Sequence, residues 1–344
     1  AIELAEAQRP DLILLDVNMP GINGFEACGI LKSKKSTAEI PVIFLTADAN
    51  KESIVRGFNA GGVDYVTKPC CKEELCARVK THIELKKSRQ KLSEYVETLE
   101  SMNRALSKDL EFARKIQSNL IPARYPGKGS ASFHSVYHPM IAVGGDLFDV
   151  ISFEEDRQIG VFICDVSGHG VGAALIACMV KTLPLGSANR KMNPAEMCSY
   201  INGKLLGQTD DNFITAFYGI FDTETKMFRY TRCGHPYPLL LRRGETIELR
   251  GKGSVIGVLR NAAFHDNEVQ LESGDRLFFF TDGVLESANA DRVEFGDDKL
   301  KEILAQNSGT TLPATVDRVF AALNEFHGSD VFEDDVAVLG MEIE

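Results

Sequence analysis

Basic residues are the minority charge in this chain: 38 Lys and Arg stand against 49 Asp and Glu, a formal charge of −11. No Lys/Arg block offsets that balance, which excludes a nucleic acid or an anionic membrane surface as the expected partner. Long apolar runs are missing too, and none approaches the roughly 20 residues of a membrane span. The opening stretch, A-I-E-L-A-E-A-Q-R-P, has an amphipathic helical pattern and not that of a signal peptide. The eight cysteines (Cys28, Cys70, Cys71, Cys76, Cys164, Cys178, Cys198 and Cys233) contain no C-x-x-C pair. They read as small buried hydrophobes of a protein kept in a reducing cytoplasm. What remains is a globular composition, 44% hydrophobic and 25% charged. A chain of 344 residues has room for about two domains and a connector.

Residues 11–16, 41–47 and 63–69 are short apolar runs, with helical patterns at 24–34, 51–60 and 72–87. Continuous apolar strands alternating with helices predict a parallel, doubly wound sheet. Ligands of such sheets bind at the carboxyl ends of the strands, where Asp16, Thr46 and Lys68 fall. The ordered set D-V-N-M-P-G-I-N-G, L-T-A and K-P resembles the receiver domain of two-component response regulators. That resemblance implies Asp16 as phosphoacceptor from a sensor histidine kinase, Thr46 and Tyr65 as switch residues, and Lys68 as phosphate partner. It also implies a cis bond before Pro69. The family's first strand carries an acidic pair that binds Mg²⁺. The residues here begin at what resembles the second helix, so a partial receiver over residues 1–82, lacking its N-terminal part, is expected.

From Leu85, apolar residues recur every seventh position at Leu92, Leu99, Leu106, Ala113 and Leu120. The companion positions are Arg89, Val96, Asn103, Leu110 and Gln117. Leucine at d with a single Asn at a is the pattern of a parallel dimeric coiled coil, predicted here over 83–120. Pro122 ends it.

Residues 121–344 change texture. Strands are predicted at 133–138, 158–165, 213–221, 226–232, 238–243, 275–281 and 335–343. Helices are predicted at 171–187, 194–207, 297–306 and 313–326. Grouped strands and grouped helices indicate a layered α+β domain. Several acids sit at strand ends: Asp146 in G-G-D, Asp165 in V-F-I-C-D-V-S-G-H-G, Asp282 in T-D-G-V-L-E, and the Asp334–Asp335 pair. A carboxylate in such a place is costly unless paired or bound to a cation, and Lys and Arg are scarce beside these motifs. All-oxygen donors favour Mg²⁺, Mn²⁺ or Ca²⁺. Two such ions bridged by a carboxylate suit hydrolysis of a phosphate ester.

Taken in order, G-G-D, D-V-S-G-H-G, F-I-T-A-F-Y, C-G-H-P, T-D-G-V-x-E and D-D-V-A resemble the SpoIIE/RsbU branch of the metal-dependent (type 2C, PPM) serine/threonine protein phosphatases. The lead-in A-R-K-I-Q-S-N-L-I-P resembles that branch's opening helix. The resemblance implies a four-layer αββα fold with two Mn²⁺ or Mg²⁺ ions. Asp165 would bridge them with the carbonyl of Val166 on one. Asp146 would stand on the second metal side and Asp282 and Asp334 on the first, with Asp335 and Glu286 as secondary candidates. A metal-activated water would attack the phosphate. His169 is a candidate general acid, and His235 is expected to pack or cap a turn. The substrate implied is a phosphoserine or phosphothreonine protein, an anti-sigma-factor antagonist of the STAS type. The alternative is a non-catalytic, phosphatase-like adaptor that binds a sigma factor or its regulator. Such an adaptor should have lost acids, and this chain keeps them.

Overall fold

The computed structural model describes residues 2–47, 50–122, 124–126, 129–153, 157–184, 193–329 and 332–344. The chain divides into two compact units, Ala1–Leu106 and Ser107–Glu344.

In the first unit, β1 (Ile13–Asp16), β2 (Val42–Thr46) and β3 (Asp64–Thr67) form a parallel sheet in the order β1-β2-β3. Helices α1 (Ile2–Gln8), α2 (Gly24–Ser33) and α3 (Lys51–Asn59) complete it together with α4 (Lys72–Ser118) as far as Leu106, the rest of α4 belonging to the second unit. Asn23 and Asn50 start α2 and α3 by accepting from the backbone N–H groups of Glu26 and Ser53, satisfying donors that the first turn leaves free. Leu15, Val42 and Phe44 are buried against Ala27, Cys28 and Leu31 of α2.

Helix α4 is one uninterrupted element of 47 residues. Leu92, Leu99 and Leu106, on the predicted seam, are 64%, 65% and 58% exposed in the single chain. The last heptad members behave differently: Gln117 is buried and Leu120 packs among core residues of the second unit. The seven-residue spacing thus runs on beyond the stretch that is free to face a second helix.

The second unit holds two five-stranded sheets, ordered β10-β9-β12-β13-β4 and β11-β8-β7-β6-β5. The first joins β4 (Ala131–His138), β9 (Leu239–Arg242), β10 (Glu245–Glu248), β12 (Arg276–Phe280) and β13 (Val336–Ile343). The second joins β5 (Leu147–Phe153), β6 (Gln158–Val166), β7 (Ile214–Asp222), β8 (Met227–Cys233) and β11 (Asn267–Gln270). Every pairing between these strands is antiparallel.

Alternation along each strand divides its side chains between two cores. Leu277 and Phe279 turn inward to meet Phe217, Phe228 and Ile163 between the sheets. Phe278 and Phe280, one residue out of phase, turn outward to Leu300, Leu304, Val316 and Val319. Those residues belong to α8 (Gly296–Gln306) and α9 (Leu312–His327). On the opposite side, Phe162, Cys164 and Val166 meet Ala177, Val180, Met197 and Ile201 of α5 (Val171–Thr182) and α6 (Pro194–Leu205). The layers are therefore helix, sheet, sheet, helix.

Four strands depart from the sequence expectation. β5 carries an acid in its centre, and Asp149 is tolerated there because Lys181 pairs with it at 3.1 Å. β10 (E-T-I-E) and β11 (N-E-V-Q) are short edge strands with no apolar run to betray them. Thr281 leaves the predicted strand 275–281: β12 stops at Phe280, and a single-turn helix α7 (Asp282–Glu286) begins. The helix predicted over 171–187 ends at Thr182, and residues 185–187 lie outside the described residues.

Candidate functional site

In the first unit the parallel register brings Asp16, Thr46 and Lys68 to the same strand ends. The Lys68 ammonium pairs with Asp16, and Asn18 N–H donates to its other oxygen at 3.1 Å. The hydrogen bond from Lys68, then that from Asn18, holds the Asp16 carboxyl below its ordinary range. Thr46 is buried, and Lys68 N–H bonds to the Thr46 carbonyl at 2.7 Å. Tyr65 lies on β3, edge-on to Phe58 at 6.2 Å between ring centroids. The peptide bond before Pro69 is cis.

In the second unit four loops meet at the ends of the two sheets. The first precedes β5 and delivers Asp146. The second follows β6, whose last residues are Asp165 and Val166. Its S-G-H-G turn places Gly168 and Gly170 at φ of 88° and 82°, a conformation glycine adopts at little cost. The third is the turn into α7, carrying Asp282, and the fourth precedes β13, carrying Asp334 and Asp335.

These carboxyls share one electrostatic environment. Burial pushes the Asp146 carboxyl well above its ordinary range, and the charges of Asp165 and Asp335 add to the shift. Asp165 is pushed up to about 7, by burial first and then by Asp282, Asp334 and Asp335. Asp282 is raised by burial. Asp334 is raised by burial and by Asp282, with His169 acting in the opposite sense. Glu286, at the end of α7, is raised by burial and then by Asp282, Glu294 and Asp334. A concentration of acid running from a buried aspartate to an exposed one, with no ion pair to base among the described residues, is the arrangement a divalent cation would relieve.

As the side chains stand, no group of three or more His, Cys, Asp or Glu among the described residues is gathered closely enough to hold a metal ion. The donor set nevertheless fits Mg²⁺ or Mn²⁺ in kind: carboxylate oxygens and a buried strand-end carbonyl, all hard ligands.

Asp335 has a separate occupation. Its Oδ1 accepts from Met140 N–H at 2.7 Å, and its Oδ2 from Gly145 N–H at 2.6 Å and Asp146 N–H at 3.4 Å. It organises the loop that carries Asp146. Asp334 is free of that loop and lies within electrostatic reach of Asp282 and His169.

His169 is exposed on the S-G-H-G turn. His235 is fully buried, with Nδ1 2.8 Å from the Thr215 hydroxyl and Nε2 facing the Phe280 carbonyl without completing a hydrogen bond. Burial, then the Arg232 charge, pushes this imidazole down to about 3, so it stays neutral and acts in packing.

Two contributors were not singled out by motif. Thr281, fully buried, donates from its hydroxyl to Asp146 Oδ2 at 2.6 Å and accepts from Ala337 N–H at 3.1 Å. It is the first letter of T-D-G, a place where a hydroxyl next to an acid is the available signal. Gln117 bonds to Gly144, and its place in the heptad hides that role.

Comparison with known proteins agrees with both units. The family model for stage II sporulation protein E (SpoIIE) matches residues 155–344, and that for the response regulator receiver domain matches residues 1–80. Phosphoserine phosphatase RsbU of Bacillus subtilis is 26% identical over 193 residues, 55% of this chain and 57% of the relative. Protein IcfG of Synechocystis is 26% identical over 228 residues, 58% of this chain and 36% of the relative. The chain thus spans little more than half the length of these curated relatives, or less. The solved SiaA-PP2C domain of Pseudomonas aeruginosa superposes with a TM-score of 0.63 at 20% identity, covering 71% of this chain and 99% of that domain, a likeness of fold. The SpoIIE phosphatase domain of Bacillus subtilis, solved with a fragment of its regulatory domain, gives 0.54 at 19% identity, covering 62% of this chain and 63% of that one. The chain belongs to the SpoIIE family, with a PP2C-type phosphatase domain that follows a response regulator receiver domain.

Proposed function

We propose that this protein is a receiver-controlled, divalent-metal-dependent phosphatase acting on phosphoserine or phosphothreonine in a protein. The observation that carries the reading is the set Asp146, Asp165, Asp282 and Asp334, one buried, two half-buried and the last exposed at the rim, with their carboxyls all raised. The names of the relatives RsbU and RsbP, both phosphoserine phosphatases, support the reaction class.

Asp165 and the Val166 carbonyl would hold Mn²⁺ or Mg²⁺ between the two sides of the site, with Asp146 on one side and Asp282 and Asp334 on the other. When bound, such cations polarise a phosphoryl group and acidify water. Thr281 and Asp335 orient the Asp146 segment beforehand, so little reorganisation is left for the reaction. His169, whose charge acts on Asp334, would give a proton to the departing seryl or threonyl oxygen. The substrate we infer is a STAS-domain anti-sigma-factor antagonist in the cytoplasm. Asp16 would be the phosphoacceptor from a sensor histidine kinase, with Mg²⁺ supplied by an acidic pair if the full receiver carries one. The exposed Leu92, Leu99 and Leu106 seam supports a homodimer through the linker.

The test is phosphate release from a phosphorylated STAS-domain protein, with Mn²⁺ and with chelator. Wild type should release phosphate only with metal, and Asp165→Asn should be inactive with its fold intact. Release that survives chelation, or a variant that keeps most activity in Mn²⁺, would overturn the assignment.

A further inference from the structure

The last turn of α4 ends on a side chain whose surroundings differ from those of the rest of its register. Gln117 is 4% exposed in a helix whose other described residues are all partly or fully exposed. Its amide spans one residue of the G-G-D loop with two hydrogen bonds. Nε2 donates to the Gly144 carbonyl at 2.6 Å, and Oε1 accepts from the Gly144 N–H at 3.1 Å. The carboxamide supplies a donor and an acceptor in one fork, so the pair fixes both peptide groups that flank Gly144. The next N–H along, Gly145, goes to Asp335, and Asp146 follows.

The loop is therefore gripped from two sides, by a side chain of the linker helix and by a carboxylate from the opposite sheet. There is no slack between them. A Cβ at residue 144 would overlap the Asp335 carboxylate, and one at residue 145 would come 2.7 Å from the Val166 carbonyl oxygen. Just beyond the helix, Lys181 bonds to the Leu120 carbonyl while pairing with Asp149, so the chain after Gln117 is tied to α5 and β5 as well.

We propose that Gln117 is a positioning residue for the divalent-metal site. Through Gly144 it sets where Asp146 stands relative to the Val166 carbonyl, and hence how tightly the site binds its cations. This rests on the metal-site reading above. Because α4 is continuous from Lys72, whatever turns or lifts its last turn acts directly on a metal-binding loop.

The experiment measures Mn²⁺ affinity by calorimetry, and amide exchange of Gly144 and Gly145 in metal-free protein, for wild type and Gln117→Met. Methionine fills the same space and makes neither hydrogen bond. Loss of an outer-shell partner costs about 10- to 100-fold in metal affinity, so the Mn²⁺ Kd should rise at least roughly tenfold. Exchange at both glycines should quicken, and phosphatase kcat should return towards wild type at saturating Mn²⁺, separating metal affinity from turnover. Gln117→Leu, which likewise makes neither hydrogen bond, is measured in parallel and serves if the methionine variant fails to fold. It too should bind Mn²⁺ more weakly. A folded variant with wild-type Mn²⁺ affinity overturns the role of Gln117. Wild type that binds no Mn²⁺ overturns the metal-site reading itself, so the two failures are distinguishable.

Discussion

Replacing Thr281 by valine should destabilise the second unit and weaken its metal site while hardly changing its shape. The side chain is fully buried, and its hydroxyl is used twice, as donor to Asp146 at 2.6 Å and as acceptor from Ala337 N–H at 3.1 Å. Valine keeps the volume and forfeits both bonds. The hydrogen bond to a carboxyl contributes about 1.5–3 kcal/mol, and a buried N–H left without an acceptor costs about 1–3 kcal/mol. The extra methyl returns less than about 1 kcal/mol of burial. The net loss is therefore about 1.5–5 kcal/mol. In a domain of this size each kcal/mol moves the midpoint by about 2–4 °C, so Tm should fall by roughly 3–20 °C. Calorimetry of the metal-free protein reads this directly. Titration with Mn²⁺ should then show roughly tenfold weaker binding, because Asp146 has lost the group that orients it. A Tm within about 2 °C of wild type together with unchanged Mn²⁺ affinity would mean that the hydroxyl neither holds the sheet ends together nor orients the acid.

The two adjacent aspartates should separate by their readouts. Asp334→Asn should weaken Mn²⁺ binding with little change in metal-free Tm, whereas Asp335→Asn should lower metal-free Tm, because an amide cannot accept from all three loop N–H groups; the reverse pattern would reassign them. His235 titrates at about 3 in the fold, below its ordinary value of 6.5. The stability it confers as a neutral ring is complete above about pH 6.5 and declines as pH falls towards 3, by about 1.4 kcal/mol per pH unit within that window. His235→Gln should remove that slope from denaturation curves between about pH 6 and 4, and an unchanged slope would show the ring charging without cost. Light scattering at micromolar concentration should give about twice 37.8 kDa through the 85–113 seam. A monomer would refute the heptad reading.

The order of the acids was legible in the sequence because each follows or starts an apolar strand, and strand ends are where a layered sheet domain gathers its polar groups. The receiver strands were legible for a related reason. A parallel strand covered on both faces is written as a continuous apolar run, as in V-I-F-L-T. The edge strands β10 and β11 have no such signature, since exposure demands little of their side chains, and β5 was obscured by an acid whose lysine lies in another element. Nor does the chain say locally that Asp334 and Asp335 part company. The partners of Asp335 stand about 190 residues away, and only the packing of one sheet on the other turns it towards the G-G-D loop. Gln117 follows the same rule. Its heptad position points to a neighbouring helix, and its hydrogen bonds instead reach a glycine 27 residues on. Patterning along the chain determines which residues are buried and at which strand ends the acids fall. Tertiary structure decides which buried polar groups meet, because a buried hydrogen-bond donor must find an acceptor wherever the layers happen to bring one.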